Sequence, residues 1–120
     1  MLDLVAKKLF LTKGIGVADD KLTSFEFALR QAGIAGTNIV LISSIFPPNA
    51  KLITRKEGLK LIKPGQILFT IYSRTQTNEP NRLISASVGI AQPKDRSKYG
   101  YLSEYDTFGK NERESGDYAE

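Results

Sequence analysis

Two adjacent hydroxyls, Ser43 and Ser44, interrupt the most apolar stretch of this 120-residue chain, residues 38–48, which reads Asn-Ile-Val-Leu-Ile-Ser-Ser-Ile-Phe-Pro-Pro. The β-branched and long apolar residues predict a strand over 38–46, stopped by Pro47 and Pro48. A strand this apolar is expected to be buried on both faces. Each buried hydroxyl without a partner would cost roughly 1 to 3 kcal/mol. The pair is therefore either structural, with both hydroxyls satisfied, or chemical.

Composition narrows what that chemistry can be. The chain has no cysteine and no histidine, which removes thiol nucleophiles, disulfides, the commonest general base and the commonest metal ligands. Catalysis would have to use Ser, Asp, Glu, Lys, Tyr or a cofactor. The formal net charge of +4 comes from 17 basic residues scattered along the chain, with Lys7-Lys8 and Arg55-Lys56 as adjacent pairs. That pattern predicts a solvated surface rather than a nucleic-acid site. No apolar run approaches the length of a membrane span and the first ten residues lack a signal-peptide core, so a soluble cytoplasmic protein is expected. The length predicts one domain, 1–120, with a modest core.

The elements that must position the serines follow from spacing. Residues 1–8 read as a polar arm and 9–11 as an edge strand. Gly14-Ile15-Gly16 lacks the third glycine and the strand-to-helix context of a dinucleotide fingerprint and is set aside. Thr23-Ser24-Phe25-Glu26 matches a capping box, with Leu22 and Phe27 as its apolar staple. The helix predicted behind it, 24–32, places Phe25, Ala28, Leu29 and Ala32 on one face, lies on a sheet and ends at Gly33. Residues 51–54 could continue the strand beyond the Pro-Pro turn, and 56–65 read as a loop closed by Pro64-Gly65. Residues 66–73 predict a strand and 75–81 a hairpin connection. Residues 83–92 alternate, with Ile84, Ala86, Val88 and Ile90 on one face and small residues on the other. A charged loop over 93–100 precedes a short strand at 101–105, and 116–120 read as the opening of a helix.

The run Ile42-Ser43-Ser44-Ile45-Phe46-Pro47-Pro48, taken with Ala32-Gly33-Ile34 before it and Pro93-Lys94-Asp95 and Glu104-Tyr105 after it, closely resembles the pyruvoyl-dependent arginine decarboxylases from about Leu9 onward. The resemblance implies a proenzyme that cuts itself between the serines. The Ser44 hydroxyl attacks the Ser43 carbonyl and exchanges an amide for an ester. The acid leaves by β-elimination, and the remaining dehydroalanine tautomerises and loses ammonia to become a pyruvoyl group. Residues 1–43 would be the β chain and 44–120 the α chain. The pyruvoyl group would serve in place of pyridoxal phosphate, with no metal, taking arginine as a Schiff base and releasing carbon dioxide and agmatine.

By the same resemblance Asn38 supports processing, Glu104 donates the proton to Cα and Glu26 contacts the substrate guanidinium. Each has a plainer alternative: Asn38 as a turn residue, Glu104 as a surface glutamate beside Asp106, Glu26 as the far end of the capping box. An acid working near neutrality would need a desolvated pocket. Where Glu26 stands, the family pattern carries an aspartate. The implied fold is α+β, a two-sheet sandwich flanked by helices (αββα). The implied assembly is a homotrimer or paired trimers with active sites between protomers. Family chains continue beyond residue 120, so the chain reads as C-terminally truncated. A processing-dead or truncated homologue acting as a non-catalytic assembly subunit is the second expectation.

Overall fold

The computed structural model describes residues 3–77, 79 and 83–108, with side chains as far as Tyr105. The class is α+β. The described elements are β1 Lys8–Leu9, α1 Lys21–Ala32, β2 Asn38–Leu41, β3 Ile45–Phe46, β4 Lys51–Leu52, α2 Arg55–Leu61, β5 Ile67–Thr70, β6 Ile84–Ala91 and β7 Gly100–Phe108. They fall into two compact units. One holds the chain up to Val40 with Ala50–Phe69, the other Leu41–Asn49 with the chain from Thr70 onward.

In the first unit, α1 begins three residues before the expected start. Asp20, not Thr23, is the N-cap. Its carboxylate accepts the Thr23 N–H at 2.7 Å and the Thr23 hydroxyl at 2.8 Å. These bonds, the Thr23 amide first and its hydroxyl second, hold the Asp20 carboxyl below its ordinary value. A carboxylate satisfies two donors where a threonine hydroxyl would satisfy one, so Asp20 takes the cap. Glu26 is left in mid-helix, paired with Arg30 at 3.3 Å, and Leu22, expected in the staple, is exposed. The helix does end at Gly33, in the left-handed region at φ 87°.

The capping box lies instead at Thr54-Arg55-Lys56-Glu57, where the sequence predicted the end of a strand continuation, 51–54, and the start of a loop, 56–65. Thr54 Oγ1 accepts the Glu57 N–H at 3.1 Å, and Glu57 Oε1 accepts the Thr54 N–H at 3.5 Å. Gly14 and Gly16 have a packing role. A Cβ on either would overlap the α1 backbone, at the Ala28 carbonyl and the Ser24 carbonyl respectively. Two missing side chains let an extended segment lie directly on the helix.

Strand pairing divides the run from 38 to 46. β1 pairs in parallel with β4, and β2 pairs with β5. The Asn38 and Ile42 N–H groups donate to the Gln66 and Thr70 carbonyls at 2.7 and 3.1 Å. Acceptor and donor numbers rise together, so the β2 and β5 chains run the same way. In the second unit β3, β7 and β6 form an antiparallel sheet in that order, with Ile45 opposite Tyr101, Phe46 opposite Gly100 and β6 matched to β7 from Ile84↔Phe108 to Ala91↔Tyr101.

The single strand expected over 38–46 is thus two short strands with different partners, and it is not buried on both faces. Val40, Leu41, Ile42 and Ile45 are exposed, whereas Phe46 is 2% exposed. β6 forms where alternation predicted a strand, although its burial does not alternate along Ile84–Val88, and β7 is nine residues long where a short strand was expected. Among the described residues β5 and β6 pair with different strands and not with each other, unlike the hairpin expected over 75–81. The helical opening read at 116–120 lies outside the described residues.

Candidate active site around the Ser43-Ser44 link

Ser43 and Ser44 occupy the joint between β2 and β3, and the chain is fastened on both sides of them. Before the joint, the Ile42 N–H donates to the Thr70 carbonyl at 3.1 Å. After it, the Ser44 carbonyl accepts the Leu102 N–H at 2.9 Å. Between these points lie the exposed Ser43 and the half-buried Ser44 hydroxyl. Among the described residues, neither the Ser43 carbonyl nor the Ser44 Oγ has a hydrogen-bond partner. No described residue here is cis, and the left-handed non-glycine residue is Asn49 at φ 60°. The chain bends at Ser44, with the Ser43 carbonyl unpaired among the described residues.

The segment after the joint is held more firmly. Phe46 is buried, the β3–β7 ladder runs beside it, and the Asn49 N–H donates to the Arg96 carbonyl at 2.7 Å. That bond ties the Pro-Pro turn to the loop between β6 and β7. The loop is organised by Asp95, which accepts the Ser97 hydroxyl at 2.6 Å and the Ser97 N–H at 3.0 Å. The Ser97 hydroxyl, then its amide, lowers the Asp95 carboxyl. Tyr101, opposite Ile45, meets the Tyr99 ring edge-on at 5.7 Å. The hydrogen bond with Tyr99 raises the Tyr101 hydroxyl, which stays protonated at neutral pH.

Of the other predicted residues, Glu104 belongs to the same unit. The Leu102-to-Ser44 bond extends the ladder one position past Ile45, so Ser44 stands opposite Leu102. Glu104 is two residues further along β7, roughly 7 Å at the rise of an extended chain, and on the same face as Leu102. That face includes Val88, opposite Glu104 in the register, and the buried Leu102. Glu104 itself is exposed. The described residues do not form the desolvated pocket expected around it.

Asn38 and Glu26 lie in the other unit. Asn38 opens β2, its side-chain amide donating to the Gly65 carbonyl at 2.9 Å. Glu26 sits in a shallow hollow on α1 with Leu22, Phe25, Phe27 and Leu29, its carboxylate taken by Arg30. Sequence reasoning did not single out Leu102, whose contribution is a main-chain N–H that no side-chain pattern marks. It also missed Ser73 and Ser87, whose hydroxyls donate to the Tyr105 carbonyl at 2.9 and 3.4 Å. The alternating small residues of β6 were the available signal for Ser87. Among the described residues, no three His, Cys, Asp or Glu side chains gather as a metal site would require, and no helix is long and apolar enough to cross a membrane.

The described site is thus a serine pair between two strands, with the Ser44 carbonyl held by the Leu102 N–H and Glu104 two residues further along β7. Residues 8–120 match the family model of pyruvoyl-dependent arginine decarboxylase, and the chain belongs to that family. It is 77% identical over 120 residues to a protein of Nitrosopumilus maritimus, covering all of this chain and 66% of the relative. It is 52% identical over 120 residues to one of Thermoplasma volcanium, again covering 66% of the relative, and 52% identical over 117 residues to one of Methanococcoides burtonii, covering 98% of this chain and 65% of the relative. All three are called pyruvoyl-dependent arginine decarboxylase. The chain spans about two thirds of the length of these relatives.

Proposed function

We propose that the protein is a self-processing decarboxylase that converts L-arginine to agmatine and carbon dioxide, its carbonyl cofactor made from Ser44. The observation that carries this is the Ser43-Ser44 link, with a hydroxyl and a carbonyl in adjacent residues that have no hydrogen-bond partner among the described residues, and a main-chain bond on either side. Those residues fit a pyruvoyl group, which needs a serine whose backbone is held and whose side chain is free to react.

In processing, the Ser44 Oγ bonds to the Ser43 carbonyl carbon, the C–N bond breaks and the hydroxyl proton passes to nitrogen. Loss of the Ser44 Cα proton expels Ser43 as a carboxylic acid, and water then releases ammonia to leave the ketone. Residues 1–43 become the β chain and residues 44–120 lie in the α chain, both belonging to one domain. Asn38 holds the start of β2 through Gly65 and so steadies the approach to the joint.

When present, the group supplies an electron sink for loss of the substrate carboxylate. The chain's own residues do the rest. Glu104 delivers the proton that replaces carbon dioxide at Cα, from the face of β7 next to Ser44. Glu26 already takes a guanidinium, that of Arg30, and in catalysis it accepts the substrate's in competition with it. Enclosure of Glu104 comes from a second protomer in a trimer or paired trimers, packed as a two-sheet sandwich between helices. The exposed apolar residues of β2 and β5, among them Leu41, Ile67 and Phe69, support such a contact.

Mass spectrometry of the full-length protein tests the reading. Two chains are expected, one ending at Ser43 and one beginning with a pyruvoyl group, while Ser44→Ala remains a single chain and releases no carbon dioxide. A wild-type chain that stays intact on long incubation would instead favour a non-catalytic assembly subunit.

A further inference from the structure

Self-processing opens the bond between the Ser43 carbonyl and the Ser44 nitrogen. It leaves untouched the Ser44 carbonyl, which remains bonded to Ile45 and becomes the carbonyl next to the new ketone. In the structure this oxygen accepts the Leu102 N–H at 2.9 Å, and among the described residues Leu102 is its donor. We propose that the Leu102 main-chain N–H is a catalytic hydrogen-bond donor, stabilising the negative charge that reaches the Ser44 carbonyl oxygen as carbon dioxide leaves. The inference rests on the self-processing reading and adds a group to it.

Three features favour a catalytic donor over an ordinary rung of the ladder. The acceptor is conjugated with the carbon that binds substrate, so the electron pair left behind when the Cα–carboxyl bond breaks is shared with this oxygen. It returns to Cα when the proton arrives. The donor is fixed beforehand, because Leu102 is buried at 7% exposure and the rungs at Ile45↔Tyr101 and Phe46↔Gly100 hold the strands beside it. A donor placed before charge develops needs no reorganisation, and removing one such donor elsewhere lowers kcat by about 10²- to 10³-fold. Finally, the bond closes the ladder just before β3 begins, so its oxygen borders the site instead of lying inside the sheet.

The test replaces the Leu102 amide by an ester in the full-length chain, which deletes the N–H and keeps the side chain. An ester at Gly100, one rung pair away, controls for weakening the ladder. The Leu102 ester is expected to lower kcat per processed site about 10²-fold with KM unchanged, and the Gly100 ester to leave kcat near wild type. Independently of turnover, a ¹³C label at the carbonyl of position 44 in unprocessed S44A protein should show its infrared band move to higher frequency with the Leu102 ester and not with the Gly100 ester. An unmoved band, equal losses of kcat from both esters, or a Leu102 ester that blocks self-cleavage alone would each overturn the proposal. A wild-type chain that does not cleave would fail the self-processing reading itself, and the proposal with it.

Discussion

The strand before the serine pair and the strand after it belong to sheets that differ in how firmly they are made. β2 and β5 form a two-stranded ribbon whose apolar side chains are largely exposed, Leu41 at 59% and Ile67 at 61%. β3 joins a three-stranded antiparallel sheet in which Phe46 and Leu102 are buried and β6 and β7 match over eight register pairs. A two-stranded ribbon is marginal alone, whereas three strands with a buried face can hold themselves. The difference assigns the two sides of one peptide bond to different tasks. The Ser43 side belongs to the looser ribbon, and the Ser44 side, which would carry the reactive group, to the stable sheet.

The strongest test of that contrast is chemical. Glu104→Gln keeps the β7 ladder but removes the proposed proton source. Carbon dioxide release should fall about 10²- to 10⁴-fold, while mass spectrometry still finds cleavage after Ser43. Equal apolar truncations on the two sheets come next. Phe46→Ala should cost about 3–5 kcal/mol in denaturant unfolding. Val40→Ala should stay within about 0.5 kcal/mol in the monomer and act instead on assembly, read by sedimentation.

Smaller effects test the other unit. Thr54→Ala should remove the α2 cap at about 1 kcal/mol, visible as faster amide exchange over 55–58. Smallest is an acid effect at Asp20. Its folded carboxyl lies below the ordinary value, so its contribution is complete above that value and is lost as pH falls through the lower folded one. The Thr23 amide resonance should follow this loss in acid, and Asp20→Asn should abolish the dependence.

What the sequence disclosed depends on how local the cause is. The β6 strand was readable because alternation with one apolar face has no competing explanation over eight residues. The end of α1 was equally plain, since Gly33 adopts the left-handed backbone that glycine favours. Its start was misread because Asp20 and Thr23 both suit an N-cap and only the number of donors satisfied decides between them. α2 was missed although Thr54 and Glu57 announce it, because seven residues with Gly58 in the middle carry little helical period. The division of 38–46 was not readable at all. Apolar composition says that a strand wants a partner, not that its two halves take different ones. The serine pair, Asn38, Glu26 and Glu104 were named through family resemblance, whereas the Leu102 amide depends on register between residues nearly sixty positions apart.

The pairings of the first unit have a consequence for the product of the proposed cut. β1 and β2 lie before Ser44, and their partners β4 and β5 lie after it. Each described strand of the shorter piece is therefore laced to a strand of the longer one. Opened between 43 and 44, the protein should still elute as a single species from a native sizing column and come apart only in denaturant. The cut would change the number of chain ends without changing the number of folded bodies.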